Sequence, residues 1–229
     1  SGLVGKFLMT QASHIAIGRY SEMIRQYKGP PAQVDSEEFY ETDPSRGFAR
    51  GFCIQTVAPL PISMAKMLAE ARGLYGMELR RAMADYNHYA CFGILGELLP
   101  DERNYVALAQ EKDRFGIPVA YVHYNLFEND KRLIEYALGK VIELHHAVGA
   151  EDIIVIDDSA HLIGTCRMGF TPQDSVVDQW CRSWDVPNLF IPDGSCLPTQ
   201  GAANPALTIS ALAARTADYI CQAATRREL

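Results

Sequence analysis

No glycine-rich G-x-G-x-x-G run that leaves a strand and opens a helix occurs in this chain. The glycines within Gly2–Gly5 and Gly47–Gly51 lack that context, which excludes a self-contained dinucleotide-binding fold. The six cysteines, Cys53, Cys91, Cys166, Cys181, Cys196 and Cys221, form no C-x-x-C pair; they read as buried thiols rather than a disulfide framework, and no metal site is expected. No apolar run approaches the roughly 18–20 residues of a membrane-spanning helix. Positive charge is also short. Twenty-one Lys and Arg against 28 Asp and Glu leave a net −7, which argues against nucleic acid or an anionic membrane as partner. Ser1-Gly-Leu-Val-Gly-Lys6 is neither an initiator Met nor a signal peptide, so the chain is expected to be cut or processed from something longer. Internal repeats and low-complexity tracts are missing too.

What is present is a folding sequence. Of 229 residues, 48% are hydrophobic and 21% charged, enough for one large or two small domains of a soluble enzyme, cytoplasmic or periplasmic. Residues 1–50 read as loops with short strands such as Ile15–Tyr20. Gly51–Val57 reads as a strand, and Ile62–Ala84 as helix broken in two by Gly73 and Gly76. Tyr89–Leu98, Tyr105–Leu108 and Pro118–Tyr124 read as an antiparallel meander. Asn129 or Asp130 is expected to cap a helix whose buried stripe is Leu133, Ile134, Ala137, Leu138, Val141, Ile142 and His145. Ile153–Ile156 and Asn188–Ile191 read as short strands. A last helix is expected to start at Asn204-Pro205 and run through Leu207, Leu212, Ala213 and Ile220. Strands and helices mix without a βαβ rhythm, so the fold class is α+β.

From about Asp158 the texture changes to dense loops. Their residues are His161-Leu-Ile-Gly-Thr-Cys-Arg-Met-Gly169, then Pro192-Asp-Gly-Ser195, then Gly201-Ala-Ala-Asn-Pro205. An alcohol gives up its proton at neutral pH only to a nearby base, and imidazole, with an ordinary pKa near ~6.5, suits that task. His161 is therefore a candidate base; a histidine holding a backbone carbonyl is the plainer alternative. Asn204 is either a helix cap or an amide that steadies a substrate hydroxyl. Gly194 permits positive φ or a close backbone approach, as an ordinary turn also would. His88, His123, His145 and His146 have no ligand spacing.

These strings, with Ser175-Val-Val-Asp178, Asn188-Leu-Phe-Ile191 and Pro198-Thr199 between them, resemble the C-terminal end of the glucose–methanol–choline (GMC) flavoprotein oxidoreductases, most closely bacterial members acting on sugars and polyols. Gly2-Leu-Val-Gly-Lys-Phe-Leu-Met9 and Asp113-Arg-Phe-Gly-Ile-Pro-Val119 extend the resemblance upstream. It implies an antiparallel-sheet substrate-binding domain at 1–157, and at 158–229 a motif region completing a flavin site. It implies oxidation of a CH–OH group of a sugar, polyol or alcohol, with hydride passing to N5 of FAD. His161 would be the base and Asn204 its partner. Asp193 and Gly194 would line the ribityl–pyrophosphate region of FAD, and Asn204 and Pro205 would face its ring. It also implies partners: a small-molecule substrate, a missing N-terminal FAD-binding segment or chain, and an electron acceptor. A non-catalytic accessory module of the same descent, and an unrelated enzyme using His161 with a metal or acid, stay open.

Overall fold

The computed structural model describes residues 1–228. In chain order the elements are β1 (Met9–Arg19), β2 (Asp35–Ser36), β3 (Phe52–Thr56), α1 (Pro61–Arg72), α2 (Gly76–Ala84), β4 (Tyr89–Gly96), β5 (Tyr105–Lys112), β6 (Pro118–His123), α3 (Glu128–Ala147), β7 (Asp152–Asp157), β8 (Ala160–Ile163) and α4 (Ala206–Thr225). They form two compact units that interleave along the chain. One comprises residues 1–11, 98–127 and 161–228, the other residues 12–97 and 128–160.

The second unit is an antiparallel sheet in the order β2-β3-β4-β1-β7. Ile15 and Ile17 of β1 stand opposite Gly93 and Cys91 of β4 and opposite Ile156 and Ile154 of β7. With Met64 and Leu68 of α1 they make a buried cluster, each large side chain contributing about 1.5–3 kcal/mol on burial. From α3, the side chains of Leu133, Ile134, Ala137, Val141 and His145 are buried. The His145 ring meets Phe92 edge-on, with centroids 5.0 Å apart. Gly18 is what admits that ring, since a Cβ there would lie 2.3 Å from His145 Nδ1.

The first unit has less regular structure. β5 and β6 form a hairpin, with Tyr105 opposite His123 and Leu108 opposite Ala120. Asp113 closes its turn by accepting from the Phe115 and Ile117 N–H groups at 2.8 and 3.0 Å. Residues 164–204 are held by single bridges such as Met168–Val177 and Arg182–Phe190. They enclose a small core of Val176, Val177, Cys181 and Cys196, against which Leu212 of α4 packs.

Several expectations are corrected here. β1 is longer and begins earlier than the short strand expected at Ile15–Tyr20, while most of residues 20–50 are irregular as expected; the residues of β1 are buried almost without alternation, so it carries no period-two signal. β4 pairs with β1 and β3 while β5 and β6 form a separate sheet, so there is no three-stranded meander. Asn188–Ile191 makes one isolated bridge rather than a strand. α3 starts at Glu128 because the Asn129 amide is engaged elsewhere, accepting from Ala49 N–H at 2.8 Å. α4 starts at Ala206 with Pro205, rather than Asn204, at the cap.

Candidate functional site

The first unit brings the motif residues together. The Gly164 N–H donates to the Gly194 carbonyl at 3.1 Å and the Cys166 N–H to the Ser195 carbonyl at 2.9 Å. On the other side, the Thr165 N–H donates to the Lys6 carbonyl at 3.0 Å. Three distant segments are thereby laid edge to edge. Gly164 is required for it: its φ is +84°, and a Cβ would sit 2.0 Å from the Phe7 carbonyl oxygen.

His161 lies in β8 with φ 55°, the left-handed region that costs a non-glycine residue about 1–3 kcal/mol and is found most often where a side chain must be aimed. Its Nδ1 is 2.5 Å from Oε1 of Gln11, 150 residues upstream. Its Nε2 is 3.4 Å from Nδ2 of Asn204. The Asn204 side chain therefore lies within reach of the imidazole, and Asn204 is not the cap residue of α4. Pro205 takes that place, with φ −85° and ψ −8°.

Asp193 accepts from the Ser195 N–H at 2.7 Å and starts a short 3-10 turn, Gly194–Cys196, instead of ending a strand. Gly194 has no positive φ. A Cβ there would meet the Leu162 carbonyl oxygen at 3.1 Å, so its smallness serves close backbone approach. Leu162, Gly164, Thr165, Asp193, Gly194 and Ser195 line a cleft of about 320 Å³.

Two residues of the site escaped the sequence reading. Gln11 is fully buried, and its Nε2 donates to the Gly201 and Ala203 carbonyls at 2.7 and 2.8 Å. Gln200 is also buried. Its amide satisfies both ends when the oxygen faces the Gln11 N–H at 3.0 Å and the nitrogen the Thr10 carbonyl at 2.9 Å. No local signal singled out Gln11, which stands among Thr10, Ser13 and His14; it is burial that obliges its amide to find partners. Among the described residues, no group of three or more His, Cys, Asp or Glu side chains could hold a metal ion. None of the helices described is long and apolar enough to cross a membrane.

Likeness to known proteins bears on the family and the fold. The C-terminal GMC oxidoreductase family model matches residues 100–213. Across 96% of the chain, 41% of residues are identical to a 2-methyl-1,2-propanediol dehydrogenase of Mycolicibacterium austroafricanum. The chain belongs to the GMC oxidoreductase family. The large subunit of a fructose dehydrogenase from Gluconobacter japonicus is 34% identical over 69% of the chain. Among solved GMC structures, a formate oxidase of Aspergillus oryzae RIB40 superimposes on the whole chain with a TM-score of 0.64 at 13% identity, the chain covering 48% of it. A pyridoxine 4-oxidase from Mesorbium loti gives 0.59 at 15% identity, over 95% of this chain and 43% of that one. These likenesses bear on the fold, the mixed α and antiparallel β substrate domain of GMC enzymes. The chain spans 42% of the length of the propanediol dehydrogenase and 30% of the fructose dehydrogenase subunit.

Proposed function

We propose that this chain is the C-terminal portion of an FAD-dependent GMC dehydrogenase or oxidase. In this reading residues 1–157 hold the substrate, residues 158–229 complete the flavin site, and the substrate is a sugar, polyol or alcohol oxidised at a CH–OH group. The observation that carries the reading is the meeting of His161 and Asn204, 43 positions apart and 3.4 Å from ring nitrogen to amide, just before a 20-residue helix with no side-chain cap.

The residues fit the cofactor that the family uses. The uncapped start of α4 offers backbone N–H groups and the positive end of the helix dipole, a setting that favours an electron-rich ring edge. Gly164 and Gly194 keep the adjoining cleft open, and Asp193, Gly194, Asn204 and Pro205 would hold the FAD along it. When bound, FAD supplies the hydride acceptor, at its N5. His161 takes the hydroxyl proton, which makes loss of the hydride from carbon feasible. Asn204, exposed beside the ring, orients the hydroxyl toward the imidazole.

The surface supports a covering N-terminal half. An apolar groove of about 690 Å³ runs past Val4, Tyr105, Val106, Leu108 and Pro118. Leu162 and Leu207 are also exposed, at 68% and 82%, and a large apolar groove is the kind of surface that marks a site of contact. The test is to co-express the chain with the fingerprint-bearing half of a relative. A yellow complex that reduces a redox dye with alcohols or sugars is expected. A complex that binds FAD but turns over nothing across the panel would point to the accessory module, and failure to retain FAD would defeat the proposal.

A further inference from the structure

We infer that Gln11 is a positioning residue that fixes His161 as its Nδ1–H tautomer and ties it to the loop bearing Asn204. A glutamine amide has one end that only donates and one that only accepts. The donating end of Gln11 is committed, because Nε2 faces two backbone carbonyls, Gly201 O at 2.7 Å and Ala203 O at 2.8 Å. Neither can donate, so the reversed amide would set oxygen against oxygen twice in a fully buried place. The accepting end, Oε1, is the atom 2.5 Å from His161 Nδ1. An acceptor there demands a proton on Nδ1, and in the neutral ring the lone pair then resides on Nε2, the nitrogen 3.4 Å from the Asn204 amide. One side chain thus sets which nitrogen is basic and where the neighbouring loop lies. Gln200 holds the same strand from behind, through the Gln11 N–H at 3.0 Å, so the hub does not slide along the loop.

The tautomer assignment stands on geometry alone; its kinetic consequence rests on His161 being the base proposed above. There, the hydroxyl O–H bond breaks and an N–H bond forms at Nε2. The ring becomes imidazolium, and its Nδ1–H is met by the Gln11 oxygen, a bond stronger to the charged ring than to the neutral one.

The experiment that does not depend on turnover is nitrogen NMR of this chain, labelled with ¹⁵N-histidine, at a pH where the rings are neutral. The signal missing from His161→Gln identifies His161. Its two-bond correlations are expected to show a protonated Nδ1 and a lone pair on Nε2; the opposite tautomer in the unmutated chain overturns the inference. Gln11→Met, which removes both ends of the amide, is expected to shift the ring toward the Nε2–H form. A tautomer indifferent to that change also overturns it. In the complemented enzyme, Gln11→Met should lower kcat by about 10–10² fold with little change in KM and move the acid limb of the kcat/KM profile to lower pH. A His161→Ala enzyme that turns over normally would remove the proposed base yet leave the tautomer result standing, so the two failures are distinguishable.

Discussion

His145 in one unit and His161 in the other are held by the same kind of bonds, with the partners of their two ring nitrogens exchanged. His145 is fully buried. Its Nε2 faces the Ala16 carbonyl at 3.1 Å and its Nδ1 the Tyr20 hydroxyl at 2.6 Å. A carbonyl only accepts, so Nε2 carries the proton and Nδ1 takes one from Tyr20. His161 has its acceptor on Nδ1 instead and shows Nε2 to an exposed asparagine. In the first case the lone pair is sealed within packed core and in the second it faces the Asn204 amide. Which nitrogen is bonded, and what lies beyond the other, separates a bracing histidine from one able to serve as the proposed base.

The largest effects should break this comparison cleanly. In the complemented enzyme, His161→Ala is expected to slow reduction of the flavin by alcohol by about 10²–10⁴ fold, while the urea midpoint of the chain hardly moves. His145→Ala should do the reverse. It opens a cavity beside Gly18 and leaves the Tyr20 hydroxyl and Ala16 carbonyl without their partner, a loss of about 2–4 kcal/mol readable by urea unfolding, with the turnover per folded molecule retained. Rate loss in the second variant, or stability loss in the first, would mean that the two rings are not divided as described.

Much of the second unit was legible from the sequence because its signals are local. The stripe from Leu133 to His145 recurs at helical spacing. The break between α1 and α2 is marked by Gly73 and Gly76, at φ 65° and 55°. β1 was legible only in its second half, as Ile15–Tyr20, since a strand buried on both faces loses its alternation. In the first unit the motif strings pointed to His161 and Asn204, and the structure does bring them together. Gln11 stayed hidden because its role is a hydrogen bond across 150 residues, and nothing in its neighbourhood announces the partner. Asn204 was read half as a cap for the same reason. A local rule favours asparagine before a helix, and nothing local marks the distant imidazole that lies within reach of its side chain.

The pH dependence sharpens the contrast by a smaller amount. Burial holds the His145 imidazole below its ordinary pKa of 6.5, against the opposing pull of the Ala16 carbonyl. Above pH 6.5 folded and unfolded chains are both neutral at this site, so it adds no pH dependence. As pH falls below that value the unfolded chain takes up a proton that the folded chain refuses, and stability declines until the depressed folded value is passed. His14 adds to the same slope, being lowered by burial and partly restored by Asp157. The measurement is therefore a difference. Urea midpoints between pH 7.5 and 5 should fall less steeply in His145→Phe than in the parent chain, and equal slopes would remove His145 as the source.

The smallest effects come from the donors that face the two rings, and they should separate along the same line. Tyr20→Phe deletes the hydroxyl that His145 Nδ1 needs and leaves a buried nitrogen without its donor, for about 1–2 kcal/mol of stability and no change in rate. Asn204→Ala deletes an exposed amide, so stability should stay within about 0.5 kcal/mol of the parent, while turnover falls because the hydroxyl of the substrate loses its guide. Both substitutions remove a single polar partner from an imidazole, so chemical severity does not distinguish them. If Asn204→Ala proved as destabilising as Tyr20→Phe, with turnover intact, the amide would be a structural clamp on the loop at 200–204, and the site would need another group to orient its substrate.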